Sequence, residues 1–262
     1  MTNFIDLHVP GRPLLIPNPW DVGSARVLAQ LGFQALATTS SGFAATLGRP
    51  DGAVTRDEAI GHAAAVAAAV SIPVSADLEN CFADDPAGVA DTVRRAVDAG
   101  LAGCSVEDAT GRDDDPIYAA DLAAERVAAA VEAAGDGFVL TARAENFLHG
   151  RPDLDDTIAR LQSYQEAGAH VLYAPGPTTP EQVGALVKAV DRPVNVLALP
   201  DAPTVAELAE LGVARISVGG GLAFAALGAL VEAGRELLDE GTYGFWPRAG
   251  AGRAVAGEAF ER

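Results

Sequence analysis

The chain has 262 residues, of which 49% are hydrophobic and 6% aromatic, and its formal net charge is −18 at pH 7. This length allows one large α/β barrel or two ordinary domains, and the charge argues against a nucleic-acid-binding protein, because phosphate contacts need clustered Lys and Arg. Two cysteines are too few for a disulfide framework. Since no apolar run resembles a signal peptide or spans a bilayer, we expect a cytoplasmic protein with no membrane partner.

Eight short apolar runs alternate with helical segments along the chain. The runs have the length and residue types of strands. The segments between them, such as residues 86–100 and 153–168, repeat apolar residues at helical spacing. The predicted strands are residues 14–17, 33–39, 72–77, 102–108, 138–143, 170–175, 193–198 and 214–218.

A glycine recurs where several predicted helices should end. Gly32, Gly100 and Gly168 follow one another at intervals of 68 residues, about two strand-helix units of a barrel of roughly 250 residues. We therefore predict one (β/α)8 TIM-barrel domain over residues 1–262, with a core of about 12–240 and a C-terminal helical extension of about 241–262. A doubly wound open sheet is the alternative fold.

Two acidic residues end neighbouring predicted strands. Asp77 closes the third strand and Glu107 the fourth, and the carboxyl ends of barrel strands are where catalytic groups lie. Carboxylate oxygens are ligands that Mg²⁺ prefers, and Mn²⁺ accepts the same donors. The sequence therefore predicts a divalent metal at this mouth. The alternative is that each carboxylate caps a helix or pairs with an arginine.

An arginine and a small-residue segment end two other strands. Arg143 closes the fifth strand, and its guanidinium suits a carboxylate or phosphonate; a salt bridge to Glu107 or Asp108 is the alternative. The segment Thr39–Phe43 follows the second strand. Its backbone N–H groups and hydroxyls can bind an anion, or it is an ordinary turn. A small anionic substrate is the expected partner.

The distribution of lysine and histidine argues against two other enzyme classes. Lys188 is the only lysine and lies in a predicted helix, whereas a Schiff-base aldolase needs a desolvated lysine near the barrel mouth. The four histidines are scattered, so neither a Ser-His-Asp triad nor a histidine-rich zinc site is predicted.

These motifs, taken in order, resemble the isocitrate lyase/phosphoenolpyruvate mutase superfamily, whose members are metal-dependent barrels acting on 2-oxo acids and related substrates. The family's D-x-D pattern is present as residues 75–77, with Ser75 in place of the first Asp, and its E-D pair as Glu107-Asp108. Ser41, Gly42 and Phe43 match the family's substrate loop, and Arg143 matches its substrate-binding arginine. Asp51 matches an acidic residue of the same site.

The resemblance implies an enzyme and assigns roles to residues. It implies catalytic roles for Asp51, Asp77, Glu107 and Arg143, with Asp77 and Glu107 as ligands of Mg²⁺ or Mn²⁺. It implies substrate contacts for Ser41, Gly42, Phe43 and Arg143. Family members form homodimers or homotetramers and often exchange the last helix between subunits, which we expect here.

The activity that the resemblance implies is lyase-type cleavage of a carbon-carbon bond in a small 2-oxo acid or related dicarboxylate, for example an oxaloacetate decarboxylase-like reaction through a metal-stabilised enolate. The K-K-C-G-H loop of the family's isocitrate and methylisocitrate lyases is replaced here by "ATGRDDDPIYAADL", which argues against those two activities. A phosphonopyruvate mutase or hydrolase and a non-catalytic 2-oxo acid binder are the alternatives.

Overall fold

The fold is built on eight parallel strands that follow one another around a sheet in sequence order. The computed structural model describes residues 3–261. Every strand lies within a run predicted from the sequence. The strands are β1 (Leu14–Ile16), β2 (Leu36–Ala37), β3 (Val74–Asp77), β4 (Gly103–Glu107), β5 (Val139–Arg143), β6 (Val171–Tyr173), β7 (Val194–Leu197) and β8 (Arg215–Ser217).

Helices connect the strands on the outside of the sheet. Most begin at a Thr or Asp whose side chain accepts a hydrogen bond from the first turn, as Asp85 and Thr179 do. The α-helices are α1 (Val22–Gln30), α2 (Ser40–Thr46), α3 (Arg56–Ala68), α4 (Pro86–Asp98), α5 (Ala120–Ala134), α6 (Leu154–Glu166), α7 (Pro180–Ala189), α8 (Val205–Glu210), α9 (Gly221–Arg235) and α10 (Trp246–Phe260). A 3₁₀-helix (Phe4–Leu7) precedes β1, and a π-helical turn (Glu236–Glu240) follows α9.

The sheet closes on itself. β1 pairs with β8, and the N–H of Ala37 at β2 donates to the carbonyl of Pro17 just after β1, at 3.1 Å. A sequential order with the first strand beside the last is that of a barrel, whereas a doubly wound sheet reverses its order partway. The predicted (β/α)8 barrel is confirmed, and the open-sheet alternative is wrong.

The amino ends of the strands are covered by the 3₁₀-helix. Phe4 is buried together with Leu14 and Val139, which lie at the start of β1 and β5. At the start of β4, a Cβ on Gly103 would lie 3.2 Å from the Phe4 ring and 2.4 Å from the Val139 carbonyl oxygen. Glycine is therefore needed there, and the barrel has one closed end opposite its mouth.

The last helices are packed differently from the rest. Helix α10 lies against α1, where Ala259 is buried. Helix α9, in contrast, buries only Ala223 and leaves Phe224, Leu230 and Val231 about half exposed or more. Within residues 3–261, no helix combines the length and the apolar character that crossing a membrane requires.

Candidate active site at the barrel mouth

A cavity of about 190 Å³ opens at the carboxyl ends of the strands. It is smaller than the roughly 300–1,000 Å³ of clefts that hold drug-sized ligands, so it suits a small molecule. Its polar lining comes from nearly every strand. The residues concerned are Asn18, Thr38, Thr39, Ser40, Ser41, Asp51, Ser75, Asp77, Ser105, Arg143, Tyr173, Asn195, Arg215 and Ser217.

Asp77 is fixed from both sides of its strand. One carboxylate oxygen, Oδ2, accepts a hydrogen bond from the N–H of Ser40 at 3.0 Å. The other, Oδ1, accepts from Arg143 Nη1 at 3.0 Å and from the hydroxyl of Ser105 at 3.4 Å. Its own N–H donates to the hydroxyl of Thr38 at 2.9 Å. Residues that follow β2, on the segment leading into α2, and residues on β4 and β5 thus aim this carboxylate at the cavity.

Arg143 joins three carboxylates. Its Nη1 contacts Asp77 Oδ1 at 3.0 Å, Nη2 contacts Glu107 Oε2 at 3.1 Å and Nε contacts Glu145 Oε1 at 2.7 Å. Burial lowers the pKa of the guanidinium, but the charges of Glu145, Glu107 and Asp77 outweigh it and raise that pKa well above its ordinary value. The structure thus brings Asp77, Glu107 and Arg143 into contact, as the sequence predicted, but only Asp77 and Arg143 line the cavity.

The alternative pairing of Arg143 with Asp108 is wrong. The Asp108 side chain points away from the cavity, where its Oδ2 accepts from Arg160 Nη1 at 3.0 Å and from the hydroxyl of Tyr164 at 2.6 Å. The pairing with Glu107, which the sequence left open, is confirmed. Asp108 is therefore a structural residue that ties β4 to α6.

The site holds more acidic groups than one arginine can neutralise. Burial is the largest cause that raises the pKa of Glu107, and the charges of Glu145 and Asp77 raise it further against the opposing effect of Arg143. The pKa of Glu145 is raised in the same way. Burial, followed by the charge of Asp77, raises the pKa of Glu79 to about 7. An additional positive charge would relieve this repulsion.

This donor set fits a divalent cation in its chemistry. Asp77 and Glu107 offer carboxylate oxygens, which are hard donors. Ser75, buried in the cavity wall, offers a hydroxyl at the position where the family's D-x-D pattern has its first Asp. In the described part of the chain, no three His, Cys, Asp or Glu side chains form a ready metal-binding cluster. Here Arg143 is the cation between Asp77 and Glu107. These two carboxylates can hold Mg²⁺ with water completing the shell.

The predicted substrate loop is a helix. Residues 40–46 form α2, and the Thr39 hydroxyl accepts from the N–H of Gly42 at 3.4 Å. The N–H of Ser40 is likewise taken, by Asp77. These two N–H groups are therefore not free to bind an anion, and a backbone anion site at the other N–H groups of this segment stays a prediction. Ser41 does line the cavity, with its hydroxyl 3.2 Å from that of Thr39.

Of the other residues matched by resemblance, one lines the cavity and two lie behind its lining. Asp51 lines the cavity. Gly42 lies behind it, where an added Cβ would stand 2.6 Å from Thr39 Cγ2 and 3.1 Å from Trp20 Cβ. Phe43 stacks on His62 with ring centroids 3.9 Å apart, also outside the main cavity. Glycine at 42 is required by packing, and Phe43 supports the wall.

The loop after β3 has a strained backbone held by a buried arginine that the sequence did not single out. Glu79, Cys81 and Phe82 have φ of 51°, 60° and 55°, a region that non-glycine residues rarely adopt. From α5, Arg126 donates Nη2 to the carbonyls of Asn80 (2.5 Å) and Ala83 (3.0 Å), and Nη1 to the carbonyl of Glu107 (2.9 Å). It thus fixes both acidic strand ends from behind.

Cys81 in this loop is buried, and burial raises the pKa of its thiol to about 12. A thiol that stays protonated is a poor nucleophile. Cys81 therefore packs in the core and does not serve as a reactive group.

A second polar layer lies deeper in the barrel and was also missed. Asn195 donates to the hydroxyl of Ser217 at 3.0 Å, and Arg215 Nε donates to Asn195 Oδ1 at 2.9 Å. The signal was available in the sequence, since Arg215 is a charged residue within the apolar run of residues 214–218.

Comparison with known proteins gives the same family as the motifs. The family model for phosphoenolpyruvate phosphomutase matches residues 4–238. A protein of Mycobacterium tuberculosis (strain ATCC 25618 / H37Rv) is 36% identical over 239 residues, which cover 90% of this chain and 89% of that protein. The 2-methylisocitrate lyase of Escherichia coli (strain K12) is 30% identical over 188 residues, covering 64% of this chain and 63% of the enzyme.

Solved structures agree. A Burkholderia cenocepacia J2315 protein assigned to the lyases and mutases is 55% identical, with a TM-score of 0.89 over 93% of this chain and 89% of that one. A phosphonopyruvate hydrolase in complex with oxalate and Mg²⁺ is 26% identical, with a TM-score of 0.82 over 92% of this chain and 88% of that one. The chain therefore belongs to the phosphoenolpyruvate phosphomutase family of enzymes, within the isocitrate lyase/phosphoenolpyruvate mutase superfamily.

Proposed function

We propose that the protein is a Mg²⁺-dependent lyase that cleaves a carbon-carbon bond of a small 2-oxo acid or related dicarboxylate, in the manner of an oxaloacetate decarboxylase. The observation that carries the proposal is that Asp77 and Arg143 line one small cavity and contact each other at 3.0 Å, while Glu107 contacts Arg143 at 3.1 Å from the adjacent strand end. The family's lyases and mutases support the reaction class.

Asp77 and Glu107 are the residues that would hold the metal. Both carry carboxylate oxygens at neighbouring strand ends, and the surplus of acidic groups around them favours a bound dication. A bound Mg²⁺, or Mn²⁺ in its place, supplies Lewis-acid polarisation of a substrate oxygen. The Mg²⁺ in the phosphonopyruvate hydrolase complex supports this choice of metal.

The other cavity residues bind and orient the substrate. Arg143 offers a planar guanidinium that can exchange a carboxylate partner for an anionic substrate group. Ser41 contributes a hydroxyl at the rim. Asp51 faces the same cavity and, among the described residues, forms no ion pair with Arg143. We assign to Asp51 the proton transfer at the carbon where the bond breaks.

The direct test is pyruvate release from oxaloacetate and a panel of related 2-oxo acids. The purified protein is assayed with Mg²⁺, with EDTA, and with EDTA followed by excess Mg²⁺ or Mn²⁺. We expect turnover that EDTA abolishes and that either metal restores. Turnover that persists unchanged in EDTA would refute the metal-dependent mechanism.

Chemistry on a carbon-phosphorus bond is the second candidate. The similarity to a phosphonopyruvate hydrolase over 92% of the chain favours it. Phosphorus NMR on phosphonopyruvate separates the two reactions, because a mutase gives a phosphate ester and a hydrolase gives inorganic phosphate.

The third candidate, a non-catalytic 2-oxo acid binder, is favoured by Ser75 at the family's acidic position. Calorimetric binding of 2-oxoglutarate without turnover of any tested acid supports it.

We also propose a homodimer or homotetramer in which residues 241–262 act as a C-terminal extension of the single barrel domain, with an exchanged last helix. The exposed apolar residues of α9, such as Phe224 and Leu230, support a surface that a second subunit covers. Light scattering of the purified protein tests this, and a monomer at micromolar concentration contradicts it. The expected compartment is the cytoplasm, where Cys81 and Cys104 stay as thiols.

A further inference from the structure

A buried arginine without a carboxylate partner lines the deep end of the cavity. Arg215 opens β8 and is only 5% exposed. Its Nε donates to Asn195 Oδ1 at 2.9 Å and its Nη1 to the hydroxyl of Thr141 at 3.1 Å. Among residues 3–261, no carboxylate forms an ion pair with it, and no acceptor is within hydrogen-bond distance of Nη2.

The surroundings of Arg215 do not balance its charge. His8 Nε2 lies 3.5 Å from Nη1. Burial, followed by the charge of Arg215, lowers the pKa of His8 to about 3, so this imidazole is neutral. The second guanidinium of the cavity, Arg143, repels Arg215. Burial lowers the pKa of Arg215 to about 10, which leaves it positively charged at neutral pH.

The other buried arginines have carboxylate partners or main-chain acceptors on both Nη groups. Arg143 has three carboxylate partners and Arg160 has Asp108 and Asp156. Arg126 has both Nη groups bonded to main-chain carbonyls. A buried charge without a counter-ion is costly, often by several kcal/mol. Arg215 is placed so that an anion entering the cavity becomes its counter-ion.

We propose that Arg215 is a specificity-determining residue, which binds a second anionic group of the substrate and so disfavours substrates that carry only one. One anionic group then lies at the mouth beside Arg143 and the other reaches Nη2 at the closed end. The assignment to a substrate depends on the proposed function, whereas the anion site itself needs neither turnover nor metal. An adjacent dianion also relieves the repulsion between the two guanidinium groups.

The test compares malonate with propionate, which has a methyl group where malonate has its second carboxylate. Calorimetric titrations in EDTA use the wild type, Arg215→Gln, Arg215→Lys and, as an exposed control, Arg12→Gln. We expect the wild type and the control to prefer malonate at least tenfold. Arg215→Gln loses that preference while propionate affinity stays within twofold, and Arg215→Lys keeps part of it. Equal affinities in the wild type, or a preference that survives in Arg215→Gln, overturn the proposal.

A second measurement tests the proposal on the wild type alone, in case Arg215→Gln does not fold. In a crystal of the wild type with malonate, the proposal requires one carboxylate within hydrogen-bond distance of Arg215 Nη2, and malonate bound only elsewhere contradicts it. The outcome is separable from that of the proposed function. A malonate preference that depends on Arg215, without turnover of any 2-oxo acid, supports the role of Arg215 and contradicts the proposed lyase activity. Turnover of a 2-oxo acid without that preference supports the lyase activity and contradicts the role of Arg215.

Discussion

Arg126 offers a quantitative test of how the loop after β3 is held, through the change Arg126→Met. The side chain is 1% exposed and donates three hydrogen bonds to main-chain carbonyls. Bonds from a charged donor contribute roughly 1.5–3 kcal/mol each. Among the described residues its Nε has no acceptor, and this penalty, together with desolvation of the charge, offsets about half of the gain.

The expected net loss is therefore about 3 kcal/mol, which for a chain of this length lowers Tm by about 6 °C. The matched control is Arg95→Met on α4, where the guanidinium is half exposed and pairs with Asp57 and Asp91; surface pairs of this kind are worth less than about 1 kcal/mol. Urea unfolding of both variants measures the difference. The interpretation fails if Arg126→Met unfolds within 1 kcal/mol of the wild type or no earlier than Arg95→Met.

Three further changes test separate parts of the structure. Gly42→Ala should lower the free energy of unfolding by about 1–3 kcal/mol, because its Cβ would stand 2.6 Å from Thr39 Cγ2. The control Gly250→Ala, in open space on α10, should be neutral or stabilising. Thermal melts of the two variants measure the difference. Asp108→Ala should cost about 3–5 kcal/mol by leaving Arg160 without its buried partner, and urea unfolding that shifts by less than 1 kcal/mol contradicts this. His8→Asn should make the free energy of unfolding depend less on pH. The pKa of His8 falls from 6.5 to about 3 on folding, so the neutral imidazole's contribution to stability is complete above pH 6.5. That contribution is lost by roughly 1.4 kcal/mol per pH unit as the pH falls towards 3. Urea unfolding at pH 7, 5.5 and 4 should therefore show the wild type losing more stability than the variant, and a constant difference refutes the assignment.

The strands could be predicted because the information that sets them is local. Apolar runs such as residues 138–143, each preceded by a helix that ends near a glycine, specify a buried parallel strand without reference to the rest of the chain. Strand ends with Asp77, Glu107 and Arg143 then point to the mouth by topology alone. What topology does not give is the partner of each side chain.

The partners depend on register and on residues far apart in sequence. Arg143 pairs in register with Glu107 on the adjacent strand, and Asp77 reaches it from β3, which no local pattern specifies. Helix α2 was missed because small residues suit a turn as well as a helix, although Thr39 is a standard helix cap. Arg126 carries the charge expected of an exposed helix residue, and only the packing of α5 on the loop buries it.

The central claim is that Asp77 and Glu107 hold a divalent cation, and an EPR titration of Mn²⁺ tests it most directly, since bound Mn²⁺ loses the sharp signal of the free ion. We expect one site per chain in the wild type and in the exposed control Glu125→Ala, and at least a tenfold weaker site in Glu107→Ala, whose circular dichroism stays that of the wild type. Mn²⁺ bound as tightly to Glu107→Ala as to the wild type, or not bound by the wild type at all, would contradict the account.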